Sequence, residues 1–357
     1  MFDLLAVYGE QQSASLRTGG QDSSLDEFLD QFLDQFDFAG ITPYDIYHTI
    51  LGRYPESIKA ALGPKNYSPR HQLRSALLGK EFQSRIISLL LNAYPEKQRL
   101  LFVHVPKCAG TDLRVVLSTC HPSLGSALSR PNWTTKRQLF AAIQQFGRLL
   151  RSADTIFVHG HVQLAQWLDA GIARPKDRVI SVIRDPIEII ISQVNYIITR
   201  ILADQTSGNY QPDTQGWLER LGIERLPAMM SETEIRSLAK TIIHDEVLTN
   251  RNTICRYLGN GDVRSFFHHV VVANVELTDT EHYSAWLSDR WSIHRQAKAN
   301  VSTKYVTAAM LDAEDRRYVD EISIEDQQVY ALISEQLRCN GGSSIFGREI
   351  TGLDTLL

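Results

Sequence analysis

A chain of 357 residues with 43% hydrophobic and 22% charged residues has ordinary globular composition, which excludes wholesale disorder and leaves room for a large domain with an appendage or for two domains. The net charge of −4 is unevenly spread: residues 101–200 hold twelve Lys or Arg against six Asp or Glu, a surplus of six, so the remainder carries −10. That basic block suits a small polyanionic ligand, whereas no basic–aromatic pattern suggests nucleic acid.

Cys108, Cys120, Cys255 and Cys339 are scattered, with no C-x-x-C pair, so a zinc site or a disulfide framework is not expected and reduced thiols are. No run approaches eighteen apolar residues, and the start MFDLLAVYGEQQ lacks the basic opening and apolar core of a signal peptide. The expected setting is cytoplasmic, without a transmembrane segment.

Residues 1–98 read as a small helical domain with a loose start. Leu25, Phe28, Leu29, Phe32, Leu33 and Phe36 recur at helical spacing after a Ser24/Glu27 capping box, with Asp26, Glu27, Asp30 and Asp34 on the opposite, solvated face. Thr42-Pro43 and Ser68-Pro69 each pair a cap with Pro at the first helical position, and the echo of TILGR in ALLGK hints at a duplicated hairpin. No chemistry is visible here; docking to a partner, to a membrane-associated assembly or to the following domain are all open.

From Arg99 the pattern alternates. Strands are expected at Leu100–Val105, Thr155–His159, Arg178–Ile183 and His268–Asn274, and helices at 111–120, 134–151, 186–202, 232–258 and 312–338. The alternation predicts an α/β domain over residues 99–340, a mainly parallel sheet with helices on both faces, whose ligands bind beyond the carboxyl ends of the strands. The polar, Gly- and Pro-containing stretch 203–217 is expected as a surface loop, and 341–357 as a tail.

Two strand ends carry chemistry. LLFVHVPKCAGTDLRVVL reads as a buried strand stopped by Pro106, a small-residue turn of Lys107, Cys108, Ala109 and Gly110, and a helix that Thr111 or Asp112 can cap. Such a turn aims backbone N–H groups and a helix dipole at one point, and Lys107 adds a full positive charge, which makes an anion site. It is not a Walker A loop, since the lysine precedes the glycine. At the second end Arg184 leaves an apolar strand, Asp185 can cap the next helix with Pro186 at its first position, and Ser192 follows about two turns on. An Arg and a hydroxyl converging there form a second anion clamp. Between them, His159 and His161 flank Gly160; the spacing alone admits a metal pair or a core histidine with a solvent-facing neighbour.

The first loop resembles the H-x-P-K-T-A-G-T-[ST] phosphosulfate loop of the sulfotransferase superfamily, with His104, Pro106, Lys107, Ala109, Gly110 and Thr111 in place, Cys108 standing where threonine is usual and Asp112 where serine or threonine is usual. RDPIEIIIS resembles the R-D-P-x-x-R-x-x-S 3'-phosphate signature, with Ile189 or Ile190 replacing the second arginine. H-G-H between the two is similar to heparan sulfate 2-O-sulfotransferases and their uronyl relatives, although His104 stands where those enzymes have arginine. LTNRNTICRYLG, VVVANVELTD, RQAKANVSTK and DQQVYALI extend the likeness more weakly, so it spans about residues 100–337 and leaves the helical part uncovered.

The resemblance implies a P-loop-like sulfotransferase fold and an enzyme that moves a sulfuryl group from 3'-phosphoadenosine 5'-phosphosulfate (PAPS) to a hydroxyl of a carbohydrate or glycolipid acceptor, a uronic-acid 2-hydroxyl among the candidates. PAPS is then a co-substrate, 3'-phosphoadenosine 5'-phosphate the product, and no metal is needed. Residues implied at the nucleotide are Lys107, Cys108, Ala109, Gly110, Thr111, Asp112, Arg184, Ser192, Arg295 and Lys298, the last two from a basic loop that closes over it. His161 is implied as general base, with His159 as its support or alternative, and Lys107 as the cation that stabilises the leaving group. Two other classes stay open: a nucleotide-dependent kinase or phosphotransferase using the same loop, and a catalytically silent nucleotide-binding scaffold.

Overall fold

The computed structural model describes residues 33–34, 39, 42, 68–78, 95–121, 123–124, 154–169, 171–223, 227, 230–294 and 303–351. The helices expected from Thr42-Pro43 and over 134–151 lie outside these residues, as does nearly all of the helix expected after Ser24 and the basic segment with Arg295 and Lys298. The chain divides into two compact units, one formed by Met1–Leu100, Cys120–Gly160 and Asp169–Ile172, the other by Leu101–Thr119, His161–Leu168 and Ala173–Leu357.

In the first unit, helix α1 (Pro69–Leu78) starts where the Ser-Pro pair predicts. The Ser68 hydroxyl accepts the His71 N–H at 3.4 Å, and Arg70 pairs with Asp34. Strand β1 (Gln98–Val103) is shared between the units; within the first, the Gln98 N–H bonds the Asp154 carbonyl at 3.1 Å and the buried Arg99 guanidinium donates to the Ile172 carbonyl at 2.8 Å. After helix α2 (Gly110–Cys120), the short strand β2 (Ser123–Leu124) pairs in parallel with β3 (Thr155–Gly160), Ser123 opposite Phe157.

The second unit holds the rest: α3 (Leu164–Asp169, to Leu168), β4 (Arg178–Ile183), α4 (Pro186–Ser207), α5 (Pro212–Arg220), α6 (Glu232–Ile243), α7 (Glu246–Thr249), α8 (Thr253–Leu258), α9 (Val263–Val272), β5 (Glu276–Asp279), α10 (Tyr283–Trp291), α11 (Ala313–Ile322), α12 (Ile324–Asn340) and β6 (Ile345–Phe346). Its strands lie in the order β1, β4, β5, β6. The Ser181 hydroxyl ties β4 to the Val103 carbonyl at 2.8 Å; β4 and β5 run parallel with Ile183 opposite Asp279, and β6 adds an antiparallel edge with Ile345 opposite Leu277. The protein is therefore α/β with a mostly parallel, mixed sheet. Leu101–Val103 and Val179–Ile183 are fully or almost fully buried, as continuous apolar runs in such sheets require.

Helix α4 follows from its sequence. Asp185 accepts the Glu188 N–H at 3.0 Å, Pro186 occupies the first position, and Gly208 at φ 68° ends it in the left-handed conformation. By length and composition α4 could cross a membrane, but here its Ile190, Val194, Ile197, Ile198 and Ile201 face is buried with Leu238, Ile242 and Ile243 of α6 and Val319 and Ile322 of α11.

Several expectations are corrected. His268–Asn274 is not a strand: Val263–Val272 is helical, because Asp262 accepts the Ser265 N–H at 2.8 Å and Phe266, Phe267 and Val270 bury one helical face. The strand is the next segment, Glu276–Asp279, fully buried although half of it is acidic. The stretch 203–217 is not a loop but the last turn of α4 and the start of α5, joined where Asp204 accepts the Gln211 N–H at 2.8 Å. The helix expected over 232–258 is three helices, broken first at His244 and Asp245 and then where Asn250 and Asn252 stand at φ 58° and 45°, and that over 312–338 breaks at Ser323. The tail after 341 supplies β6.

Candidate anion site

Beyond the carboxyl end of β1 the chain enters its most constrained turn. Lys107 and Ala109 adopt left-handed backbone conformations, φ 66° and 56°, on either side of Cys108. The Cys108 N–H between them is bonded to the Val105 carbonyl at 3.4 Å, which closes the turn, and each non-glycine residue held left-handed costs on the order of 1–3 kcal/mol. The first helical bond of α2 runs from Leu113 N to the Ala109 carbonyl at 3.1 Å, so Gly110, Thr111 and Asp112 form the first turn; contrary to the expectation that Thr111 or Asp112 caps the helix, both lie inside it.

Gly110 is closely packed. A Cβ there would lie 1.9 Å from Cδ2 and Nε2 of His104, whose ring packs on the glycine. His104 is 9% exposed, stacked between Phe102 at 5.3 Å and His161 at 3.9 Å between ring centroids. Cys108 is fully buried, with Sγ 3.5 Å from the Pro106 carbonyl, and burial pushes its thiol well up. Asp112, an acid in an anion cradle, is buried and accepts the Tyr283 hydroxyl at 3.0 Å.

Arg184 projects from the end of β4. Its Nη1 donates to the Lys107 carbonyl at 3.4 Å and its Nη2 to Glu188 at 2.9 Å, while Asp185 is spent on the helix cap. The two clamps read from sequence thus meet at Lys107. Its Nζ lies 3.9 Å over the ring of Tyr196, and its pKa is lowered to about 8 by burial first, then by the positive charge of Arg184, with Cys108 acting the other way. Ser192 is half-buried about two turns into α4.

The two histidines of H-G-H part company at the strand end. His159, in the first unit, is 4% exposed beside Phe157, 5.1 Å between rings. His161, in the second, is exposed, with Nδ1 2.9 Å from the His104 carbonyl. A carbonyl can only accept, so Nδ1 carries the proton and Nε2 is the basic nitrogen of the neutral ring. The edge of Tyr257 approaches that ring at 6.2 Å. Tyr257 sits on α8, whose first N–H groups, of Ile254 and Cys255, are each bonded at 2.8 Å by the buried carboxylate of Asp326. Burial raises that carboxyl to about 6.

Sequence reasoning did not find Tyr196 or Tyr283, nor the packing of His104 on Gly110, and it gave no role to Tyr257 and Asp326, which fall inside LTNRNTICRYLG and DQQVYALI. Each reaches the site from a distant segment, and only the spacing of Tyr196 along α4 carried any signal. Among the described residues no group of three or more His, Cys, Asp or Glu side chains is placed to hold a metal. Fold and site define an α/β protein in which a tight strand–turn–helix brings Lys107 and Arg184 together. Comparison with family models, curated proteins and solved structures finds no match.

Proposed function

We propose that this protein is a PAPS-dependent O-sulfotransferase of the P-loop-like type, acting on a hydroxyl of a carbohydrate or glycolipid, with a uronic-acid 2-hydroxyl the first acceptor to try. The observation that carries the reading is the convergence on one tight turn of Lys107, Arg184 and the start of α2. The amides at the start of α2, beside the Lys107 ammonium, suit a phosphosulfate.

PAPS brings an activated sulfuryl group; the residues of this chain position it and manage charge and protons. The N–H groups of Ala109, Gly110 and Thr111 bind the anionic oxygens, and Lys107 neutralises charge on the departing bridging oxygen. Arg184 and Ser192 take the 3'-phosphate. His161, its Nδ1 fixed by the His104 carbonyl, accepts the acceptor hydroxyl proton at Nε2. Exposure favours His161 over the buried His159 for this role.

Thermal melts with 3'-phosphoadenosine 5'-phosphate, ATP and AMP test the reading. A bisphosphate at about 1,000 times its Kd stabilises the fold by about 4 kcal/mol and raises the melting temperature. A rise with ATP and none with the bisphosphate would point to a phosphotransferase, and no rise with any nucleotide to a protein that does not use the loop.

A further inference from the structure

We propose that Tyr196 is a positioning residue that holds the Lys107 ammonium over the anion turn by presenting its ring face to it. The inference deepens the reading of Lys107 as the anion-binding cation and rests on it. Nζ lies 3.9 Å above the ring centroid, well inside the range of a cation–ring attraction. The ring has an orientation to offer, because Trp217 of α5 meets it edge-on, 6.1 Å between centroids at 70°. Tyr196 is 38% exposed, so it is not there to fill the core.

The charges facing Lys107 explain why a counter-surface is needed. Arg184 repels the ammonium, burial disfavours it, and the neutral Cys108 thiol compensates little; Glu188, the nearby acid, is engaged by Arg184. The Lys107 side chain reaches from the turn to the Tyr196 ring on α4. With an anion in the turn, the ammonium has a stronger partner and the ring becomes the wall behind it.

The test is pulse acetylation of Lys107 by acetic anhydride across pH 6–11, read by peptide mass spectrometry, in wild type and in Tyr196→Phe, Tyr196→Leu and Tyr196→Met. The wild-type midpoint is expected near 8. Tyr196→Phe keeps the ring face and should keep that midpoint, whereas Leu and Met should each lower it by roughly one pH unit. The Met variant preserves helix propensity should Leu disturb α4. Wild-type midpoints in both aliphatic variants would overturn the proposal, and so would a shift in Phe as large as theirs, which would assign the effect to the hydroxyl. The readout needs no nucleotide, so this pairing can stand or fall independently of whether 3'-phosphoadenosine 5'-phosphate binds.

Discussion

Adding one methyl group at Gly110 should report on the whole architecture of the anion turn. In Gly110→Ala the new Cβ would lie 1.9 Å from two His104 ring atoms and 2.6 Å from Cε1, against a normal carbon–carbon contact of roughly 3.5–4.0 Å. The ring must therefore retreat by about 1.5–2 Å. It is not free to do so cheaply, being 9% exposed and stacked between Phe102 and His161. Overpacking of this kind costs about 1–3 kcal/mol, measurable by urea denaturation as a lower midpoint at unchanged slope. The cause is checked by a double-mutant cycle. His104→Ala removes the obstructing ring, so the pair Gly110→Ala with His104→Ala should be more stable than the sum of the single losses by about 1–3 kcal/mol. A Gly110→Ala protein as stable as wild type, or strict additivity with His104→Ala, would refute the reasoning.

Other perturbations separate the roles of the site residues. His161→Ala should lower turnover by about 10²–10⁴ while leaving affinity for 3'-phosphoadenosine 5'-phosphate within a few-fold, and a parallel loss of affinity would contradict its assignment as base. Lys107→Ala should cost about 10²–10³ in turnover at saturating donor; an effect on KM alone would make it a binding residue only. Glu276→Gln tests the network behind β5, where the fully buried carboxylate accepts from Arg178, Trp286, Arg290 and Ser344. Burial alone would raise the pKa of Glu276, but the Trp286 indole and Arg178 outweigh it and hold the carboxyl below its usual value. Its contribution is thus present above the unfolded pKa and lost as pH falls through the folded one. The Gln variant should lose about 2–4 kcal/mol at pH 7, less than a fully buried pair because the two Arg side chains are 40% and 38% exposed, and its stability should depend less on pH below about 4.5. Equal acid sensitivity in both proteins would remove Glu276 as a cause.

What the sequence made legible was local. The Asp185 cap, Pro186 at the first helical position and the apolar periodicity of α4 lie within a few residues of one another, and the structure has all three. Strand β4 is a run of apolar residues closed by Arg184, and its limits match the expectation. Lys107, Gly110 and Arg184 were visible because a cation and small residues at the carboxyl ends of strands have few other uses.

What was hidden depends on partners far along the chain. His268–Val272 is rich in β-branched residues and reads as a strand, yet Asp262 nucleates a helix through it and Phe266 and Phe267 bury its face. Glu276 and Asp279 interrupt the apolar run by which a buried strand is recognised in a sequence. They are tolerated inside because Trp286, Arg178, Arg290 and Ser344 satisfy the first and His282 and Ser334 the second. In the same way the buried Asp112 beside the Lys107 turn accepts the hydroxyl of Tyr283, 171 residues away. Asn195 is likewise buried and fastens α4 to Tyr305 and Val306 through three backbone bonds of 2.8–3.0 Å.

The most direct test of the central claim is calorimetric titration of wild type and Arg184→Ala with 3'-phosphoadenosine 5'-phosphate, with ATP and AMP as controls. The account predicts micromolar binding of the bisphosphate by wild type, at least tenfold weaker binding of the mononucleotides lacking the 3'-phosphate, and an affinity for the bisphosphate about 10–100-fold lower in Arg184→Ala. Wild-type protein that prefers ATP, or a bisphosphate affinity unchanged by the loss of Arg184, would contradict it.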